Sequence, residues 1–501
     1  MGELSLEAIL SRYQAAQRRR RPWESLWRDC YTYALPQRGH GFGLEFDAAR
    51  RHAERLFDGT ATDAVEQLAA SLLAELTPPW SQWFGFVPGY DVTETNHLFA
   101  SEELDRVTQI AQGHFDRSNF AVEIHQAFLD LATVGNATLL FEEAPLGASS
   151  AFRLTAVPMS EMHFESGPDD EILGHFRSRS LPLQALKSLF PEAELPERLG
   201  SCSVDKAKLG LPVVEAVLPD NGGFLYTALL LDRIDKPTLL ARGFLSSTPF
   251  ISFRWLKGAS EVYGRSPVMT ALPDIKTVNK VVELVLKNAS IAVTGIWQAD
   301  DDGVLNPANI RLVPGTIIPK AVGSSGLTPL QSPGRFDVSN LMLDDLRGRI
   351  RHTLLVDRLG PLGARKMTAT EILERSNEMS RLLGATYGRL QAELLTPLID
   401  QALRILRRRG EIPDIVLDGR TIDLQYRSPL ARLQARDDIR NTLTWLETSA
   451  QLGQEAMQTV DIPATARWLG ERLGVPGQLI RDVSPVAEII NQLLPIDEPE
   501  G

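Results

Sequence analysis

Apolar residues recur at three-and-four spacing along several segments of the chain, and the clearest segment follows Pro267 and Pro273. This spacing places one apolar stripe along a helix, which we expect over about residues 268–293. A second stripe predicts a helix over about 337–356. The two stripes are Ile275, Val278, Val282, Val285 and Ala289, and then Leu343, Leu346, Ile350 and Leu354.

Three further helices are predicted in the first part of the chain. Residues 5–35 carry two apolar faces separated by Pro22. A helix over about 61–76 has Thr60 as its candidate N-cap, and Pro78 and Pro79 would stop it. A third covers about 100–135.

The hydrophobic pattern changes between residues 137 and 255, where short apolar runs are separated by Gly, Pro and Asp clusters. Such runs are typical of strands. We therefore expect a strand-rich insert in an otherwise helical chain, which makes the fold class α+β and mainly helical. The predicted strands are Leu139–Phe141, Phe152–Val157, Val213–Val217 and Phe250–Phe253.

The remaining segments are punctuated by glycine and proline. Residues 357–367 cannot form a regular helix, because two glycines and a proline fall within four residues. Thr368 and Glu371 then fit a capping box, and the helix that they open could reach Arg409, with a bend at Pro397. Helical patterns resume from residue 437 to the end.

Composition limits the class of protein. The 501 residues are 43% hydrophobic and 23% charged, which is ordinary for a soluble globular protein. No apolar run approaches the roughly 18 residues that cross a bilayer, and no signal-peptide core is present, so we expect synthesis in a cytoplasm. Cys30 and Cys202 show no spacing pattern and are expected to be buried free thiols.

Charge and motifs argue against an enzyme. The net charge of −12 disfavours a repressor or nuclease, because a protein that binds DNA tightly usually carries a basic face. The sequence has no P-loop, and its eight histidines show no metal-ligand or triad spacing. We therefore expect no catalytic residues, no metal and no cofactor.

Three clusters of charge remain open to more than one interpretation. The run Arg18–Arg21 is expected to be a solvated helix end, with a DNA contact as the alternative. Lys276, Lys280, Glu283 and Lys287 share a helix face that could line a channel or bridge subunits, and Asp345 with Arg349 has the spacing of ordinary helix support. Beside the Gly/Pro break lie the cations Arg358, Arg365 and Lys366, on a plain surface loop or a DNA-facing one.

An ordered series of short motifs resembles the head-to-tail connecting (portal) proteins of podovirus-type tailed bacteriophages. No single motif is specific, but their order over roughly residues 23–440 is, and it centres on Tyr263-Gly264-Arg265-Ser266-Pro267. The others are Trp23, Trp27, Ala34-Leu35-Pro36, Phe57-Asp58-Gly59-Thr60, Leu76-Thr77-Pro78-Pro79, Arg254-Trp255, Pro314-Gly315-Thr316, Met367-Thr368-Ala369-Thr370-Glu371, Leu395-Thr396-Pro397 and Ser428-Pro429-Leu430.

The resemblance implies the portal fold in a closed ring, and it divides the chain into named parts. The implied boundaries are a wing at 1–265 with a helical part and a strand-rich insert, stem helix 1 at 266–294, a clip at 295–334, stem helix 2 at 335–356, a tunnel loop at 357–367, a long kinked wing helix with a return strand at 368–430, and a helical crown at 431–501.

The implied function is mechanical and not enzymatic. Portal proteins form a ring, a dodecamer in the family, at one capsid vertex of the virion, assembled in the host cytoplasm. Double-stranded DNA passes through it during packaging and ejection. The implied partners are the packaging terminase, the major capsid and scaffold proteins and the tail adaptor, with no membrane.

Two alternatives come from other classes of protein. Another phage structural protein, from a tail or scaffold, would lack two long helices around a compact insert. A phage DNA-binding enzyme should show a carboxylate cluster or a basic domain, and the sequence has neither.

Overall fold

The computed structural model describes most of the chain, and its helices and strands are mixed as the sequence predicts. The described residues are 4–38, 56–79, 81–89, 94–168, 171–196, 210–231, 237–294, 297–299, 327–329, 336–356, 386–414, 422–427, 429–473 and 475. Its helices are α1 Leu6–Ala34, α2 Thr60–Leu76, α3 Glu94–Arg117, α4 Phe120–Val134, α5 Leu183–Leu189, α6 Pro267–Thr294, α7 Phe336–Thr353, α8 Thr396–Arg408, α9 Pro429–Leu452, α10 Gln454–Met457 and α11 Ile462–Leu473.

The strands form four antiparallel sheets. Three strands pair in the order β3-β2-β9, five in the order β4-β5-β6-β7-β8, and two pairs are β1-β12 and β10-β11. The strands are β1 Phe84–Pro88, β2 Asn136–Glu143, β3 Phe152–Val157, β4 Met162–Ser166, β5 Ile172–Leu181, β6 Leu211–Asp220, β7 Gly223–Leu230, β8 Thr238–Leu245, β9 Phe250–Arg254, β10 Trp297–Ala299, β11 Leu327–Pro329 and β12 Ile422–Tyr426.

Helix α1 continues through Pro22 instead of dividing there. Ser5 caps its start by accepting a hydrogen bond from the amide of Ala8 at 3.2 Å. The run Arg18–Arg21 therefore lies in the middle of a helix of 29 residues, and its interpretation as a helix end is wrong. Arg20 is 3% exposed, so the run is not uniformly solvated either.

Two helix boundaries differ from the sequence prediction. Gly59 occupies the N-cap of α2, while Thr60 is its first helical residue and donates its amide to the Asp58 carboxylate at 3.0 Å. The helix predicted over 100–135 is two helices, α3 and α4. They break at Asn119, whose side-chain amide exchanges two hydrogen bonds with the backbone of Leu154 on β3.

The core has one large cluster and two smaller ones. The large cluster joins α1–α4, the three-stranded sheet and α6–α8 around buried aromatic rings such as those of Trp27, Tyr31 and Trp83. A separate cluster packs Ile9 and Tyr13 of α1 against Phe176 and other residues of the five-stranded sheet.

The C-terminal part follows α8. A π-helical segment, Gln391–Leu395, precedes Thr396, and Gly410 ends the helix with a φ of +71°. Pro397, where the sequence predicts a bend, follows this π-helical segment directly, and proline offers no N–H to the preceding turn. Helices α9–α11 confirm the helical pattern from residue 437 as far as the structure describes it.

Cys30 is buried and free, and Cys202 lies outside the described residues.

Candidate channel helices

The Tyr-Gly-Arg-Ser-Pro motif forms the joint from which α6 starts. Tyr263 is fully buried, its ring lies 5.0 Å from that of Trp27, and its hydroxyl accepts a hydrogen bond from the amide of Phe164 at 3.2 Å. Ser266 accepts from the amide of Met269 at 3.0 Å and donates to the carbonyl of Thr133 at 2.8 Å. The start of α6 is therefore capped and fastened to the end of α4.

Gly264 is required by a close backbone approach. A Cβ at this position would lie 2.4 Å from the carbonyl oxygen of Gly135. Gly135 itself caps α4 with a φ of +74°, in the left-handed region that favours glycine. The side chain of Asn136 closes the contact by accepting from the Gly264 amide at 2.7 Å and donating to its carbonyl at 3.3 Å.

The first half of α6 is held on the body of the protein. Ile275 and Val278 are buried, and the ammonium of Lys276 lies 2.6 Å from the Asp29 carboxylate of α1. The side chain of Asn279 accepts hydrogen bonds from the amides of Phe57 at 2.7 Å and Asp58 at 3.3 Å. These contacts fix the helix over its first three turns.

Helix α7 packs along α6 and is fastened to the same body. Its apolar stripe, Leu343, Leu346 and Ile350, is buried, as is Leu354 just beyond its end. Arg347 lies 2.7 Å from Asp58. Burial opposes ionisation of Asp58, but hydrogen bonds from Thr60 and Arg347 outweigh it and lower its pKa.

An ion pair joins the two helices to each other. Arg349 of α7 lies 2.9 Å from Asp274 of α6, so it does not make the i,i+4 pair with Asp345 that the sequence predicts. The physical reason is that the neighbouring helix offers a carboxylate closer than its own preceding turn does. The outcome is a helix pair that is clamped at one end.

Past Asn279 the face of α6 becomes exposed and charged. Glu283 bonds Lys287 at 2.5 Å and Lys280 at 3.0 Å, and these bonds lower the pKa of Glu283. We call Lys280, Glu283 and Lys287 the charged row. Lys276 shares the helix face, but its ion pair with Asp29 sets it apart from the row.

Apolar side chains are also exposed on this outer half. Leu284 and Leu286 of α6 are 53% and 52% exposed, and Met342 of α7 is 51% exposed. Leu286 lies on the same stripe as Ile275 and Val282, so the apolar stripe continues beyond the part that the body covers.

Two predicted regions fall largely outside the described residues. Arg358, Arg365 and Lys366 all lie outside them, as does the capping box at Thr368. Of residues 295–334, the structure describes two short strands, Trp297–Ala299 and Leu327–Pro329, which pair antiparallel with Trp297 opposite Pro329.

Sequence reasoning did not find the contacts that clamp the helix pair. Asp58 belongs to a motif that the sequence analysis singled out, but nothing in the sequence indicated that Asn279 and Arg347 contact this segment. Arg254 and Glu393, 139 residues apart, form a second such contact at 2.6 Å, in which Glu393 is presented by the π-helical segment.

Neither a candidate metal site nor a candidate membrane span is found among the described residues. They contain no group of three or more His, Cys, Asp or Glu side chains placed to hold a metal ion. Within the same residues, no helix is both long and apolar enough to cross a membrane. What the helix pair offers is a rigid attachment at one end and a charged and apolar surface at the other.

Comparison with known proteins gives a family match over nearly the whole chain. A profile of the family described as bacteriophage head to tail connecting protein matches residues 6–480. A probable portal protein of Bordetella phage BPP-1 is 23% identical over 97% of this chain and 90% of its own length. The portal protein of Salmonella phage epsilon15 is 21% identical over 96% and 89%. A solved structure, the neck of a native gene transfer agent particle computed with C12 symmetry, is 14% identical over 82% and 91%, with a TM-score of 0.36.

Proposed function

The chain belongs to the family of bacteriophage head to tail connecting proteins, and from this membership we propose that its copies close into a ring around a channel for duplex DNA. The predicted resemblance is thereby confirmed. The protein is a portal protein, a structural component of the virion at the head–tail junction, in a family that is not enzymatic. The observation that carries the ring proposal is the family match over residues 6–480.

The proposed ring is a dodecamer with one repeated, heterologous interface that closes on itself. It assembles in the host cytoplasm and sits at one capsid vertex among the major capsid and scaffold proteins. The packaging terminase docks on it while DNA enters. A tail adaptor later replaces the terminase, and the DNA leaves by the same channel at ejection.

In this proposal α6 and α7 are the two stem helices, and residues 295–334 are the clip between them. A stem that is clamped at one end and bare at the other suits a ring, because neighbouring copies can cover the bare half. The apolar surface for that contact would be Leu284, Leu286 and Met342. Burying one leucine side chain there would stabilise the interface by roughly 1.5–3 kcal/mol.

The charged row is proposed to face the channel. Its two ammonium groups and one carboxylate are already engaged with each other, so they would attract passing phosphates weakly, and salt would screen that attraction further. Lys276 is left out of the lining, because Asp29 holds it on the body. The tunnel-loop cations Arg358, Arg365 and Lys366 are proposed as the second set of groups near the DNA.

The test is the mass and shape of the purified protein, alone and with scaffold. Light scattering should give roughly 665 kDa, twelve times the 55.4 kDa chain, and electron microscopy should show rings with a central hole.

The variant Leu286→Glu should shift the measured mass towards that of the single chain. Leu146→Glu is the matched control, because Leu146 is 89% exposed on the turn between β2 and β3. A parent chain that stays monomeric with every procapsid component would contradict the proposal.

A further inference from the structure

The basic run in the middle of α1 has a buried and an exposed part. Arg20 turns inward, donates to the carbonyl of Met162 at 2.9 Å and pairs with Glu24 at 3.2 Å. Arg18, Arg19 and Arg21 are exposed. Arg20 is therefore a structural residue, whereas its neighbours present three guanidinium groups on the surface of an acidic chain.

Two of these exposed arginines are unengaged. Arg19 donates to the hydroxyl of Ser166 at 3.2 Å. Arg18 and Arg21 have neither an ion pair nor a hydrogen bond among the residues that the structure describes. Two other exposed arginines are paired: Arg404 lies 2.9 Å from Asp400, and Arg408 contacts Glu143. The pair on α1 thus leaves its hydrogen-bond donors available to a ligand.

Arg18 and Arg21 border a surface depression of about 380 Å³. Gln14, Gln17 and Glu24 also border it, as does the buried His163. Burial and the nearby Arg20 lower the pKa of His163 to about 3, so the imidazole is neutral at pH 7. The carboxylate of Glu24 is paired with Arg20. The unengaged charge of the depression is therefore positive.

We propose that this depression binds the phosphate backbone of duplex DNA on the body of the protein, apart from the stem and the tunnel loop. Arg18 and Arg21 are three residues apart, on one helix face, and about 4.5 Å apart along its axis. Phosphates along one DNA strand rise about 3.4 Å per nucleotide, so two long guanidinium side chains can reach neighbouring phosphates. Guanidinium groups bind phosphate in a planar, two-pronged manner.

Gln14 adds an amide donor of the kind that contacts phosphates without reading base sequence, whereas the Gln17 amide already donates to the Tyr13 hydroxyl at 2.8 Å. An acidic peptide would also be attracted to two arginines. DNA is favoured because the unengaged groups that border the depression are donors in a short row, as a regular phosphate backbone requires. This choice of partner rests on the proposed function, in which duplex DNA passes through the ring.

The experiment compares two double variants of the full-length chain, each losing two exposed arginines. Arg18→Gln with Arg21→Gln removes the unengaged pair, and Arg404→Gln with Arg408→Gln is the control with the same change of net charge. Binding to a fluorescent duplex of about 30 base pairs is measured by anisotropy from 50 to 200 mM salt. The first variant should lose about tenfold in affinity, and its log–log salt dependence should be shallower by about 1.8, since each phosphate contact contributes about 0.9. The control should stay within about twofold of the parent.

Two outcomes would overturn the proposal. Equal losses in both variants would mean that the general field of the protein, and not the depression, attracts DNA. Polyglutamate displacing the duplex at a lower charge concentration than competitor DNA would identify an acidic protein segment as the partner. The mass of each variant by light scattering separates this test from that of the ring: rings that bind DNA regardless of Arg18 and Arg21 refute the depression alone.

Discussion

His175 should make the five-stranded sheet sensitive to acid. Its ring is fully buried between Phe250, with ring centres 5.6 Å apart, and Phe164 at 5.9 Å. Within the part of the chain that the structure describes, neither ring nitrogen has a hydrogen-bond partner. Burial lowers the pKa of His175 to about 3 from 6.5. Between these two pH values the imidazole is therefore protonated in the unfolded chain but neutral in the folded one. The free energy of unfolding is therefore unaffected by His175 above pH 6.5, and it falls as the pH drops from 6.5 towards 3.

The size of the effect follows from the two pKa values. At pH 5 the unfolded imidazole gains about 2 kcal/mol from protonation that the folded one lacks, at roughly 1.36 kcal/mol for each unit of pKa. His163 adds a similar loss, because burial and Arg20 lower its pKa to about 3 as well. A comparison of the parent with His175→Leu cancels the contribution of His163 and of every carboxylate.

Hydrogen exchange followed by mass spectrometry measures the opening of this sheet inside a large assembly. For peptides within residues 172–181 and 211–220, protection corrected for intrinsic exchange should fall between pH 7 and pH 5. That fall should be about 30-fold larger in the parent than in His175→Leu. Leu229→Ala, a buried change in the neighbouring strand β7, should lower protection equally at both pH values. If parent and His175→Leu lose protection in parallel, the buried imidazole is not the cause.

The other predictions concern the joint, the clamp, the clip and the tunnel loop. Gly264→Ala should destabilise the fold by more than about 2 kcal/mol, because its Cβ would meet the Gly135 backbone, whereas Gly243→Ala meets nothing and should change the unfolding midpoint little. Arg347→Met should raise the pKa of Asp58 and bring its protonation, followed by NMR or acid unfolding, to higher pH. Replacing residues 295–334 by a Gly/Ser linker should leave exchange protection of the sheets unchanged and abolish packaging; packaging at normal yield would contradict the clip assignment. Alanine at all three tunnel-loop cations should leave ring mass unchanged and alter the amount of DNA packaged or retained; normal packaging, retention and ejection would make the loop a connector only.

Long periodic helices and uniformly apolar strands were predictable from the sequence. Helix α6 was expected over 268–293 and spans Pro267–Thr294, because its apolar stripe from Ile275 to Ala289 is continuous over about four turns. Strand β3 has the predicted bounds. By contrast, β5 was not predicted, because its polar residues His175, Arg177 and Arg179 interrupt the apolar pattern of a strand. It forms a strand because β4 and β6 pair with it on both sides.

The contacts around the helix pair were beyond sequence reasoning for a different reason. Asp58 meets Arg347 across 289 residues, and Lys276 meets Asp29 across 247. Such pairs depend on how the helices pack, and a helix period carries no information about its partner. The charged row could be recognised as one face of a helix, yet the separation of Lys276 from that row could not.

The contact at Gly264 also limits how far helix α6 can rotate about its base. Helix α6 has 28 residues and is therefore a rod of about 42 Å. One degree of rotation at its base would move its far end by about 0.7 Å. At this joint Gly135 and Gly264 meet backbone to backbone, and hydrogen bonds hold the side chains of Asn136 and Ser266 that flank the contact. A pore whose radius is set by the far ends of such helices would keep its width because their bases have little freedom to rearrange.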